Sequence, residues 1–123
     1  VMILLLVDDE FHVRKKLLHK IDWEALGIDT LLEAEDGESG YETAKRRKID
    51  ILISDIRMPL MTGDEFLRYM KNNELFKSIP IVMLSSEEST TERIRLLEEG
   101  AEDYILKPFN PLELKIRIKK IID

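Results

Sequence analysis

The sequence predicts an α/β fold in which strands and helices alternate and a parallel sheet is covered on both faces. Three observations carry this. Four short apolar runs, Met2–Val7, Ile49–Ser54, Ile79–Leu84 and Tyr104–Leu106, are too continuous for strands with one wet face. Strands buried on both faces read this way, and they belong to parallel sheets. Segments with helical spacing and helix-capping residues separate the runs. Finally, 123 residues is one domain's length, so residues 1–123 are read as a single domain.

Each element has its own justification. The first strand is Met2–Val7. Val13, Leu17 and Ile21 then share one face of a first helix, for which one of Asp8 and Asp9 serves as N-cap. In "DWEALG", Asp22 caps a single turn and Gly27 ends it. Thr30–Ala34 is less continuous and reads as an edge strand, and "DGESGYETAKRR" as a second helix. After the third strand, Ile49–Ser54, "TGDEFLRYMKNN" opens with Thr62 and Glu65 at capping-box spacing. After the fourth, Ile79–Leu84, Ser89 and Glu92 repeat that device in "STTERIRLLEEG", and Gly100 closes the helix. Tyr104–Leu106 is the fifth strand. Asn110 caps the last helix, with Pro111 at its first position. Five β-α units of this size fit the flavodoxin-like doubly wound (βα)5 arrangement, a five-stranded parallel sheet in the order 2-1-3-4-5.

In such a sheet ligands bind beyond the carboxyl ends of the strands, at the switch point between strands 1 and 3. Asp8, Asp9 and Glu10 follow strand 1, Asp55 follows strand 3, Ser85 and Ser86 follow strand 4, and Lys107 and Pro108 follow strand 5. Glu35 and Asp36 follow the edge strand, further away. Taken singly, each is a cap or a solvated loop charge. Together they place carboxylates, a hydroxyl and an ammonium on one rim. Carboxylates that close raise one another's pKa unless a cation lies between them. A hard divalent cation, Mg²⁺ (or Mn²⁺), suits a few oxygens plus waters and a phosphate oxygen. With Lys107 as a point charge and Ser85 as a donor, these are the parts for phosphoryl transfer onto an aspartate.

"LLLVDDE", "DIRMPLMTG", "PIVMLSS" and "GAEDYILKPF", in that order and at this spacing, resemble the receiver domain of two-component response regulators, the CheY-like superfamily. The resemblance runs the whole chain. It implies that Asp55 is the phosphoacceptor, taking its phosphoryl group from a phosphohistidine on a sensor histidine kinase. It implies metal ligation by Asp9 and Asp55, by Asp8 largely through water, and by the backbone carbonyl of Arg57. Ser85 matches the switch hydroxyl, Lys107 the lysine that pairs with the phosphoryl group, and Tyr104 the aromatic that turns inward. The Lys107–Pro108 bond matches one that is typically cis. Arg57 and Glu87 stand where the family tunes hydrolysis, and the expectation is that they pair across the mouth and slow the entry of water. Output is expected through the face of helix 4, strand 5 and helix 5. Ile94, Leu97, Ile116 and Ile118 are its apolar members, and for most of them facing the sheet is the simpler expectation.

The resemblance implies a signalling switch rather than a conventional enzyme, catalysing only its own phosphoryl transfer and slow dephosphorylation. Subfamily signals point two ways. "KKLLHKIDWEALGI" resembles receivers fused to AraC-type DNA-binding domains. "GAEDYILKPFNPLELKIRIKKI" looks more like receivers of winged-helix regulators or hybrid kinases. A homodimer on phosphorylation is a further expected partner state. Two other classes share parts of this pattern. Haloacid-dehalogenase-like phosphatases need a second acid two residues after the nucleophile, where this chain has Arg57. A degenerate receiver scaffold would lack the acceptor or the metal ligands.

Composition agrees with these expectations. Net charge is −6, from 19 basic and 25 acidic residues, which argues against direct nucleic-acid binding. There is no cysteine, hence no disulfide framework. The opening apolar run has no basic residues before it and is too short for a signal peptide or a membrane span. A cytoplasmic protein without membrane contact is expected. P-loop chemistry is excluded, because no GxxxxGK[ST] run occurs. Trp23 reads as a core anchor for the loop before strand 2.

Overall fold

The computed structural model describes residues 2–123, and in it the apolar runs become five strands. Along the chain these are β1 (Ile3–Val7), α1 (Phe11–Lys20), a short 3-10 turn (Glu24–Leu26), β2 (Thr30–Ala34), α2 (Gly37–Arg46) and β3 (Ile51–Asp55). Then follow α3 (Gly63–Lys71), β4 (Ile81–Ser85), α4 (Thr90–Glu98), β5 (Asp103–Leu106) and α5 (Pro111–Ile122). All neighbouring strands are parallel, in the order β2-β1-β3-β4-β5. The expected doubly wound, flavodoxin-like topology is the observed one.

Period-two alternation divides the core into two layers. Leu5 and Val7 pack with Leu52, Met83, Phe66 and Leu96, on the side of α2, α3 and α4. Leu4 and Leu6 pack with Leu17, Ile53, Val82, Leu114 and Ile118, on the side of α1 and α5. Because helices cover both faces, every residue of β1, β3 and β4 is buried, while edge strand β2 is half-buried for most of its length. Each fully buried Leu or Ile contributes about 1.5–3 kcal/mol relative to exposure. Trp23 joins the second layer, beside Leu26 and Ile28, as the anchor expected of it.

The helix punctuation is partly as expected. Thr62 and Glu65 form a reciprocal capping box on α3, and Asn110 accepts from the N–H groups of Leu112 and Glu113 at the start of α5. Gly27 and Gly100 end their helical segments at positive φ. Two expectations need correction. Glu10, not Asp8 or Asp9, occupies the N-cap of α1, and it caps with no side-chain bond. Asp8 turns inward instead and accepts the Glu10 N–H at 2.9 Å. On α4, Ser89 accepts the Glu92 N–H without the reciprocal bond that Thr62 and Glu65 make on α3.

Strand boundaries also shift. β3 and β4 each start two residues later than the apolar runs suggest, and each ends one residue later. Ile49 is buried but precedes the ladder. Pro80 has no N–H to donate, so β4 begins after it. As a result Asp55 and Ser85 are the last residues of their strands rather than the first residues beyond them.

Candidate functional site

Strand register sets the rim of the site. Val7 pairs with Ser54, Asp55 with Leu84, and Ser85 with Leu106, so β1, β3, β4 and β5 end level with one another. The ladder continues one step past the strands. Asp8 N–H donates to Ala34 O at 3.0 Å, Ile56 N–H to Leu84 O at 3.1 Å, and Lys107 N–H to Ser85 O at 2.7 Å. These bonds fix the backbone from which the polar side chains project.

Lys107 sits at the centre. Its Nζ lies 2.9 Å from Asp8 Oδ2, 3.1 Å from Asp55 Oδ1 and 3.7 Å from Glu10 Oε1. The Lys107 side chain is only 12% exposed, Asp55 is 7% exposed and Asp8 is fully buried. Burial first, and then the Asp8 charge, push the Asp55 carboxyl up to about 6, because Lys107 only partly offsets them. Burial likewise holds Asp8 above the usual carboxylate range, against the Glu10 N–H and Lys107. Burial opposes the Lys107 ammonium, but its hydrogen bond to Asp8 and the Asp55 charge outweigh this and raise its pKa. One ammonium therefore does not neutralise this pocket.

Asp9 and Glu10 bring two more carboxylates from the solvent side. One oxygen each from Asp8, Asp9, Glu10 and Asp55 lie within 4.8 Å of one another. An all-oxygen set with two buried and two exposed members fits a hard divalent cation that keeps several waters.

The loop after β3 is held tightly. Gly63 N–H donates to Ile56 O at 2.6 Å. A Cβ at Gly63 would lie 2.0 Å from Asp55 O and 2.6 Å from Ile56 Cα. Only glycine lets α3 start this close to the backbone that carries Asp55. On the other flank, Arg14 Nη1 donates to Asp8 O at 2.6 Å while its Nε bonds Glu33 Oε1 at 3.0 Å.

At the mouth, Arg57 and Glu87 form an ion pair between the loops after β3 and β4. Their side chains are 67% and 49% exposed, so solvent screens the attraction. Ser85 is buried, and its Oγ accepts the Glu87 N–H at 3.0 Å. Tyr104 is also buried, with its hydroxyl 2.8 Å from Glu87 O and 3.0 Å from Glu92 Oε1. The Lys107–Pro108 bond is cis.

The sequence-predicted residues thus fall into two connected groups. Asp8, Asp9, Asp55 and Lys107 converge on one acidic pocket. Ser85, Tyr104 and Glu87 form a hydrogen-bonded cluster beside it, tied to Arg57. Sequence reasoning did not find Arg14, the close approach of Gly63 to the end of β3 or the destination of Glu92. A glycine at a first helical position, where propensity gives no reason for it, was the available signal for Gly63. Glu92 could not be separated from an ordinary capping residue, because its spacing from Ser89 is that of a capping box.

Comparison with known proteins places this geometry. The family model described as the response regulator receiver domain matches residues 4–119. The chain is 37% identical over 119 residues to the phosphate regulon transcriptional regulatory protein PhoB of Pseudomonas aeruginosa, covering 97% of this chain and 51% of that protein. It is 33% identical over 119 residues to the transcriptional regulatory protein SrrA of Staphylococcus aureus, covering 97% of this chain and 47% of that protein. The chain spans about half the length of these curated relatives. Among solved structures, the Vibrio cholerae chemotaxis protein CheY4 superposes with a TM-score of 0.87 at 30% identity, covering 98% of each chain.

Proposed function

The chain belongs to the response regulator receiver domain family, and on that premise we propose that it is a phosphorylation-controlled switch in two-component signalling, with Asp55 as phosphoacceptor. The observation that carries the reading is the Lys107 ammonium bridging the buried Asp8 and Asp55 carboxylates at the end of the central strand. A carboxylate oxygen of Asp55 attacks the phosphorus of a phosphohistidine on a sensor histidine kinase. The phosphorus–nitrogen bond breaks, the imidazole leaves and takes up a proton, and an acyl phosphate forms on Asp55. Hydrolysis by water later returns the carboxylate.

Mg²⁺ (or Mn²⁺), held by Asp9, Asp55, the Arg57 carbonyl and, through water, Asp8, would neutralise charge on the transferring group. The oxygen-rich cluster at this pocket supports that assignment. Lys107 pairs with the phosphoryl oxygens, and Ser85 donates a hydrogen bond to one of them. Positioning and charge neutralisation are sufficient for this chemistry. The Arg57–Glu87 pair closes the mouth and slows the approach of water to the acyl phosphate.

Phosphorylation adds roughly −1.5 to −2 charge and biases an existing equilibrium. Ser85 and Tyr104 transmit it to the face of α4, β5 and α5. Ile94, Leu97, Leu106 and Ile116 are exposed there and supply the apolar contacts for an output partner or a second copy. Ile118 faces the sheet instead and is buried. Residues 1–123 make one receiver domain. The curated relatives run to about twice this length, which supports a fused output domain, of AraC-type or winged-helix DNA-binding kind or a hybrid kinase. The receiver itself carries no nucleic-acid surface, given its acidic charge. Among the described residues no helix is long and apolar enough to cross a membrane. Membership of the receiver family supports a cytoplasmic location.

The test is incubation with acetyl phosphate and Mg²⁺. The expected result is a stable phosphorylated species, lost in Asp55→Ala. Turnover of a small phosphate ester would instead indicate a phosphatase, and no uptake at all a binding scaffold.

A further inference from the structure

The Glu92 carboxylate lies beside the switch cluster and has no part in the phosphoryl transfer proposed for Asp55. It lies in the first turn of α4, where the Ser89 hydroxyl accepts its N–H at 3.2 Å. Its side chain points toward the sheet. Oε1 lies 3.2 Å from Ser85 Oγ and 3.0 Å from Tyr104 Oη. The same two hydroxyls also reach the carbonyl oxygen of Glu87, Ser85 Oγ at 3.2 Å and Tyr104 Oη at 2.8 Å.

Hydrogen counting makes this arrangement informative. Each hydroxyl has one hydrogen to donate, and the two acceptors are Glu92 Oε1 and Glu87 O. Both acceptors are served only if one hydroxyl donates to each. When Tyr104 takes the shorter bond to Glu87 O, the Ser85 hydrogen belongs to Glu92. A charged acceptor makes roughly twice as strong a bond as a neutral one, so that hydrogen is held firmly.

Resting on the assignment of Asp55 as phosphoacceptor, we propose that Glu92 is a positioning residue that competes with the phosphoryl group for the single hydroxyl hydrogen of Ser85. Before phosphorylation the Glu92 carboxylate draws the Ser85 hydroxyl toward α4 and away from Asp55. When Ser85 turns its hydrogen to a phosphoryl oxygen, Glu92 Oε1 gives it up, while Tyr104 keeps its bond to Glu87 O. Glu92 thereby sets the threshold of the switch. No bond to phosphorus forms or breaks in this step; one hydroxyl hydrogen changes acceptor.

Beryllofluoride with Mg²⁺ tests this, read as binding affinity in wild type, Glu92→Gln, Ser85→Ala and the double variant. Urea midpoints confirm that each is folded, and Glu92→Ala is the second variant should Glu92→Gln not fold. The expected result is an affinity about fivefold tighter in Glu92→Gln, the factor for replacing a charge-assisted hydrogen bond by a neutral one. The gain should vanish in the Ser85→Ala background, where no hydroxyl remains to be freed. Unchanged affinity in Glu92→Gln overturns the proposal. So does an equal gain with and without Ser85, which would be simple removal of a nearby negative charge. Failure of wild type to bind beryllofluoride overturns the phosphoacceptor assignment itself, and the proposal with it.

Discussion

Replacing Gly63 with alanine puts a methyl carbon where the Asp55 carbonyl oxygen already lies. The new Cβ would sit 2.0 Å from Asp55 O, 2.8 Å from Asp55 C and 2.6 Å from Ile56 Cα. All three neighbours are backbone, so no side chain can swing aside. Relief requires α3 and the end of β3 to separate by roughly 1 Å, since nonbonded carbon atoms sit best about 3.5–4.0 Å apart. That movement also lengthens the 2.6 Å bond from Gly63 N–H to Ile56 O. Overpacking of this kind costs about 1–3 kcal/mol, and a weakened backbone bond adds about 1 kcal/mol. Better helix propensity returns up to about 1 kcal/mol. The expected net loss is about 1–3 kcal/mol. Urea denaturation followed by Trp23, the only tryptophan and a buried one, measures it. Because the displaced backbone carries Asp55, phosphorylation by acetyl phosphate should slow by about a hundredfold, the scale of a 1 Å misplacement. A Gly63→Ala variant with wild-type stability and wild-type phosphorylation would refute the steric argument. Loss of stability with an unchanged rate would refute its link to Asp55.

Three more outcomes follow from the site. Asp55→Asn should stabilise the metal-free protein. With a folded-state pKa of about 6 against an ordinary 3.8, Asp55 favours folding when protonated, and that contribution is lost as pH rises through about 6. A gap of about 2 corresponds to about 3 kcal/mol, so Asp55→Asn should gain up to that at neutral pH in EDTA and almost nothing near about pH 4; a gain independent of pH would contradict this. Mg²⁺ at about 100 times its Kd should add about 2.7 kcal/mol to wild type. Asp9→Ala should lose most of that at the same concentration, as thermal denaturation will report; equal stabilisation of the two would remove Asp9 from the metal site. Finally, Glu87→Ala should change stability by less than about 1 kcal/mol, as for exposed ion pairs, yet shorten the lifetime of the acyl phosphate. An unchanged lifetime would mean that the Arg57–Glu87 pair does not restrain water.

Much of this was legible in the sequence because the fold is doubly wound. Near-continuous apolar runs mark strands buried on both faces, and the topology then sends whatever follows them to one rim. Asp8, Asp55, Ser85 and Lys107 meet for that reason. Strand ends were less legible. Ile49 and Ile79 belong to the apolar runs, but hydrophobicity reports burial, not pairing, and the ladder starts beyond them. The sequence offers one of Asp8 and Asp9 as the cap of α1, but Glu10 takes that place, and Asp8 bonds the Lys107 that the topology brings to the same rim. Glu92 shows the same limit. Its spacing is that of a capping box, and only the packing of α4 against β5 brings its carboxylate to Ser85 and Tyr104. The role of Gly63 likewise depends on a contact with the strand before it, which local spacing does not show.

The most direct test of the central claim is to locate the phosphoryl group. Wild-type protein is phosphorylated by acetyl phosphate with Mg²⁺, the acyl phosphate is trapped by reduction, and the peptides are mapped. The expected result is a single modified residue, Asp55, with none in Asp55→Asn and none in EDTA. Modification at Asp8, Asp9 or Glu10 in the wild-type protein, or uptake at Asp55 that does not depend on a divalent cation, would contradict the account.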